Sequence, residues 1–117
     1  MTFEQASQTA RAWIDAWNAR DLDAILTHYA ENVTFWSPTV VARWGITSGE
    51  LRGKAKLREH FARGLQAPGL HFELQAVLLS VGGYSVVYRR ESGKLVVDAV
   101  TVDARGLGLE VRAYYEI

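Results

Sequence analysis

One acid stands in the middle of an apolar run, Asp98 within Leu95-Val96-Val97-Asp98-Ala99-Val100-Thr101-Val102. Turned inward from such a segment, a carboxyl group loses hydration. Its pKa then rises toward the range in which it can hold and release a proton near neutral pH. Turned outward, or met by Arg112 or a tyrosine, it is an ordinary structural acid. Arg112 and Tyr114 lie two residues apart and share one face of any strand that carries them. On the inner face they complete a polar patch beside Asp98, with Tyr114 as a second proton-handling group and Arg112 as a ligand contact. On the outer face they are an exposed cross-strand pair of little energetic weight. Ser37 precedes Pro38 and offers its hydroxyl to a ligand or to the end of its own segment. The histidines at 28, 60 and 71 have no metal-ligand spacing. They read as surface residues at the edges of apolar faces, with His71 the one near a pocket. Cysteine is absent, which removes thiol chemistry and disulfides. The chemistry these residues support is acid–base work that calls for neither metal nor cofactor.

Elements that would position these groups follow from periodicity. Thr2 and Gln5 fit a capping box at a helix start. Phe3, Ala6, Ala10, Trp13, Ile14 and Trp17 then recur at steps of three and four. Asp21 caps a second helix carrying Leu22, Ile25, Leu26 and Tyr29. Val33–Ser37 is β-branched and aromatic and reads as a short strand stopped by Pro38. Residues 39–53, with glycines at 45, 49 and 53, read mainly as a loop, with room for a short edge strand. Helical spacing returns over Lys54–Leu65 through Leu57, Phe61 and Leu65. Leu70, Phe72, Leu74, Ala76 and Leu78 alternate with polar residues as a half-buried strand. Gly82-Gly83 and Ser92-Gly93 mark hairpin turns, so the strands 84–90, 95–103 and 107–117 follow as an antiparallel meander.

Helices followed by a meander predict one α+β domain over residues 1–117, a curved, mostly antiparallel sheet wrapped around N-terminal helices and enclosing an apolar pocket. Trp17, Tyr29, Phe35, Phe61 and Phe72 read as core, some of them lining that pocket. Trp36 and Trp44 either close its mouth or pack down the irregular segment. Residues 95–102 are apolar on both alternating faces. Helices cover one face of a sheet, so the outer face is expected to join two copies in a homodimer.

Composition excludes several classes. Thirteen basic and thirteen acidic residues leave a net charge of zero without a basic cluster, which argues against nucleic acid as a partner. No apolar run approaches the ~20 residues of a membrane helix, and the N-terminus lacks a signal-peptide pattern. A cytoplasmic location is expected.

The order helix–helix–strand–loop–helix–four strands resembles the cone-shaped fold shared by nuclear transport factor 2, ketosteroid isomerase and the SnoaL-like polyketide cyclases. The resemblance covers essentially the whole chain. Its most specific segments are Trp17-Asn18-Ala19-Arg20-Asp21-Leu22-Asp23, Ala30-Glu31-Asn32-Val33, Ser37-Pro38, Gly53-Lys54-Ala55 and Val111-Arg112-Ala113-Tyr114-Tyr115. Against ketosteroid isomerase, Ser37 stands where the Asp base would be and Trp13 where a tyrosine donor would be. Asp98 matches that enzyme's protonated Asp donor. The steroid-isomerase mechanism is thereby unsupported, since serine alone is a poor proton abstractor and indole cannot titrate. The resemblance leaves an oxyanion side made of Trp13 and Asp98. It also implies that Asp98 can serve as the pocket base used by SnoaL-like cyclases.

The expected function is binding of a small, mainly apolar molecule by Trp13, Trp17, Tyr29, Phe35, Ser37, Phe61, Phe72 and Arg112. Asp98 and Tyr114 would carry out isomerisation, cyclisation or dehydration. The alternative is a non-catalytic ligand- or protein-binding module of the same fold, or a dimeric scaffold whose own tryptophans fill the cavity.

Overall fold

Helix α1 (Phe3–Asn18) begins where its capping box predicts. Thr2 Oγ1 accepts from the Gln5 N–H at 3.1 Å, and Gln5 Oε1 accepts from the Thr2 N–H at 2.8 Å. The computed structural model describes residues 1–117. Ala6, Ala10, Trp13, Ile14 and Trp17 form the buried stripe of α1, while Phe3 at its start is exposed. Arg20, at φ 56°, turns the chain, and Asp21 caps α2 (Leu22–Leu26) by accepting from the Ala24 N–H.

Helix α2 ends earlier than its spacing predicts, because Tyr29 opens strand β1 (Tyr29–Trp36). Tyr29 is buried in the same core that a longer helix would have reached, so apolar spacing could not separate the two outcomes.

The segment expected mainly as a loop holds helix α3 (Pro38–Trp44) and the edge strand β2 (Glu50–Arg52). Ser37 caps α3, Pro38 occupies its first turn, and Gly45 closes it in the left-handed region at φ 69°. Proline preset for the first turn and glycine just past the end are ordinary helix punctuation. Helix α4 (Lys54–Gly64) follows.

Strands β3 (Glu73–Ser80), β4 (Gly83–Arg89), β5 (Leu95–Val102) and β6 (Gly108–Tyr115) form the predicted antiparallel meander. Sheet order is β2-β1-β6-β5-β4-β3, with β1 parallel to β6 and every other pair antiparallel. Helix α1 packs on β3 and α4 on β1, covering the concave face of one curved sheet. The core is a single cluster of 23 buried residues between helices and sheet.

The alternation predicted for β3 breaks partway. An irregularity between Leu74 and Ala76 shifts its pairing with β4, as an extra residue in one strand does. Beyond it Val77 packs against the core while Leu78 is 57% exposed. No helix is long and apolar enough to cross a membrane.

Candidate functional site

Asp98 faces the concave side of β5. Its ladder partners are Val86 on β4 and Ala113 on β6, both buried. The residue is 5% exposed. Tyr88, on the same face of β4, donates its hydroxyl to Asp98 Oδ1 at 3.0 Å and is its one hydrogen-bond partner. Burial pushes the carboxyl pKa up to about 7, while the Tyr88 hydrogen bond and the Arg90 charge pull the other way. Burial and then the charge of Asp98 raise its phenolic neighbours, Tyr84 to about 12 and Tyr29, Tyr88 and Tyr115 upward as well. All four stay protonated hydroxyls at neutral pH.

Asp98 borders a cavity of about 80 Å³ between α1, α4 and the sheet. Trp13, Trp17, Phe35, Phe61, Leu70 and Phe72 supply its apolar wall. The rings interlock: Phe72 stacks on Tyr88 at 4.6 Å and on Trp17 at 5.1 Å, and Trp17 meets Phe61 edge-on at 5.0 Å. Asp98 also borders a smaller void lined by Tyr29 and Tyr84.

The polar wall lies on α3 and α4. His60 is 3% exposed. The Trp44 indole donates to its Nδ1 at 3.0 Å, and Arg43 Nη1 lies 2.9 Å from Nδ1 and donates to the His60 carbonyl at 3.0 Å. An indole N–H can only donate, so Nδ1 is the acceptor. The neutral ring's proton therefore sits on Nε2, which donates to Thr39 Oγ1 at 3.0 Å. Thr39 Oγ1 in turn lies 2.7 Å from Ser37 Oγ. Burial first, and the Arg43 charge second, lower the His60 pKa to about 4. His60 is thus a neutral positioning group at physiological pH, with Thr39, Arg43 and His60 all on the cavity wall.

The structure brings six of the sequence-derived candidates to this cavity, namely Asp98, Trp13, Trp17, Phe35, Phe61 and Phe72. Tyr29 borders only the smaller void, where its hydroxyl accepts from Trp13 Nε1 at 2.9 Å. That bond occupies the Trp13 donor expected on the oxyanion side. Ser37 is buried as the α3 cap, its Oγ accepting from the Thr39 N–H at 3.1 Å, and lies off the cavity wall.

Arg112 and Tyr114 are corrections. Both are exposed on the outer face, Tyr114 by 55%, and Arg112 lies over the Trp36 ring at 4.4 Å. Antiparallel partners share a face, and Asp98 pairs with Ala113. Ala113 and Tyr115 therefore look inward, while Arg112 and Tyr114 look outward. The histidines are corrected too: His71 is exposed and His60 is buried on the cavity wall. A signal for His60 existed, since it follows Leu57 by three and precedes Phe61 within the apolar stripe of α4. Thr39, Arg43, Tyr88 and Arg90 also line the cavity, and no motif or spacing in the sequence marks them; Tyr115 lines it too, from the family-like closing segment Val111–Tyr115.

The profile of the SnoaL-like domain family matches residues 10–116. A comparison with curated proteins found no match. Among solved structures, a SnoaL-like protein of unknown function from Burkholderia thailandensis is 38% identical, with a TM-score of 0.94 over 99% of this chain and 98% of that one. A candidate ketosteroid isomerase from Kribbella flavida is 22% identical, with a TM-score of 0.75 over 97% and 79% of the two chains. TerC, crystallised with polyporic acid, is 17% identical, with a TM-score of 0.76 over 95% and 91%. The last two share the fold alone with this chain. With the family profile spanning nearly its whole length and a SnoaL-like relative superposing end to end, the chain belongs to the SnoaL-like domain family.

Proposed function

We propose that the chain binds a small, mainly apolar organic molecule in the cavity beneath α1 and catalyses proton transfer beside a carbonyl group. Isomerisation, cyclisation and dehydration are the reactions of this type. One observation supports the reading above others: a carboxyl group 5% exposed, bordering the cavity, with its pKa raised to about 7. A group poised there is a carboxylate often enough to remove an α-proton and an acid often enough to return it elsewhere. Tyr88 holds Oδ1 and orients the carboxyl group. The aromatic wall keeps bulk water from competing for the proton.

The test is hydrogen–deuterium exchange at the α-carbon of small enolisable ketones, followed by NMR. Exchange above buffer is expected to increase as pH rises through about 7 and to fall about 100-fold or more in Asp98→Asn. Binding detected by tryptophan fluorescence without exchange in any ketone would overturn the catalytic reading in favour of a ligand-binding module. The use of Ser37 as a helix cap, at the position of the isomerase base, supports that second reading.

The outer face of the sheet is proposed as a homodimer surface. Val87, Val97 and Ala99 are half-buried there, and Leu78 and Tyr114 stand 57% and 55% exposed. Sedimentation at micromolar concentration is expected to give a dimer and Ala99→Arg a folded monomer. A wild-type monomer would sink the idea.

A further inference from the structure

Asp98 is the only acidic side chain bordering the cavity, whereas two guanidinium groups, Arg43 and Arg90, border it as well. A third, Arg63, lies over the Trp44 ring at 5.3 Å, and Trp44 is hydrogen-bonded to His60 on the same wall. Of the three, Arg90 alone has a carboxylate partner, Glu91, at 3.0 and 3.1 Å. Arg43 forms no ion pair; its Nη1 is tied to His60 through a neutral ring nitrogen and a carbonyl. Burial lowers the Arg43 pKa first, and the like charges of Arg63 and Arg90 add to that against Tyr115. A guanidinium still remains charged at any physiological pH. Three clustered cations with one partner are a local excess in a chain whose thirteen acids balance thirteen bases.

One hydrogen-bond donor on the wall is also unpaired. Trp17 is 6% exposed and lines the cavity, and its indole N–H has no partner. A buried donor left without an acceptor is costly and rare. His60 presents no free acceptor, because Nδ1 already receives the Trp44 N–H. The wall therefore carries two guanidinium groups and an unpaired indole N–H, against Asp98 as its one carboxyl group.

We propose that the cavity takes a small organic carboxylate, with its charged oxygens toward Arg43 and its apolar body against Trp17 and Phe72. The proposal rests on the reading of this cavity as the ligand site and names the ligand's chemical class. The size limit is strict. A cavity of about 80 Å³ has room for roughly half a dozen water-sized groups. Short-chain oxo acids fit that scale and carry both features: a carboxylate for the arginine side and an enolisable carbon for Asp98.

The test uses 2-oxobutanoate and its methyl ester, two ligands of similar shape that differ in charge. Calorimetry on the wild-type chain is expected to show the acid binding about tenfold or more tightly than the ester, and more weakly as salt is added. Arg43→Gln is expected to remove that preference by weakening binding of the acid about tenfold, with Arg43→Lys recovering part of it. Equal or tighter binding of the ester overturns the proposal on the wild-type chain alone, whether or not the variants fold. Exchange at C3 of the acid reads catalysis separately. Acid-selective binding without exchange refutes the catalytic reading and keeps this one; exchange with the ester bound as well as the acid does the reverse.

Discussion

Asp98→Asn is expected to stabilise the folded chain at pH 8 by up to about 4 kcal/mol and to leave its stability at pH 3 nearly unchanged. The carboxyl pKa is 3.8 without the fold and about 7 within it. Between those values the folded chain holds a proton that the unfolded chain has released. Stability associated with Asp98 is thus fully present below pH 3.8 and lost as pH rises through about 7. Asparagine keeps the shape and can still accept from Tyr88, but it has no charge to bury. Chemical denaturation of both forms at pH 3, 6 and 8 reads the difference directly. A stability gain independent of pH, or a loss at pH 8, would show that Asp98 is not a desolvated acid. A gain in stability together with loss of proton transfer is the pattern of a site that sacrifices stability for function.

Gly83→Ala is expected to cost about 3 kcal/mol, well beyond Gly82→Ala next to it at about 1 kcal/mol. Both glycines read from sequence as one hairpin turn, yet they are required for different reasons. Gly82 has φ +80°, in the left-handed region, while a Cβ added there would meet only open space. Gly83 has an ordinary backbone conformation, but a Cβ there would overlap the Val100 carbonyl oxygen and crowd Thr101 Cα at 3.1 Å. Those are backbone atoms of β5, whose pairing with β4 begins at Gly83↔Thr101. Relief therefore means moving β5, the strand that carries Asp98. Urea denaturation of the two variants measures the ranking; equal losses would mean that the strand shifts freely and that close approach is unimportant.

Local signals account for much of the scaffold. The capping box of Thr2 and Gln5, the α1 stripe, the Asp21 cap and the glycine-marked turns are each made by residues close in sequence. Their energetics are settled within a few residues, so a pattern can reveal them. Helix α3 is equally local, punctuated by Ser37-Pro38 and Gly45, but the further glycines at 49 and 53 give the whole segment the look of a loop.

The wall of the site is less legible because it depends on which way a strand faces. Residues 95–102 are apolar on both faces, so a period of two cannot tell whether Asp98 or its neighbours look inward. The same ambiguity allows Arg112 and Tyr114 to read as inward, where the structure puts Ala113 and Tyr115. For His60 the stripe of α4 is present, but what makes a buried imidazole tolerable is not: Trp44, Arg43 and Thr39 reach it from a helix 16 to 21 residues away.

By itself, the sequence determined the α+β class, the element order apart from α3, the family resemblance and the presence of one acid within an apolar run. Only the tertiary structure decided that this acid faces a cavity, that its partner is Tyr88, and that Arg43 and a neutral histidine on α3 and α4 line the same cavity. The reason is physical. Caps, stripes and turns are stabilised by neighbours in the chain, whereas the face of β5 is set by the register of β6. That register is held in turn by the parallel pairing of β6 with β1, a strand far from it in the sequence.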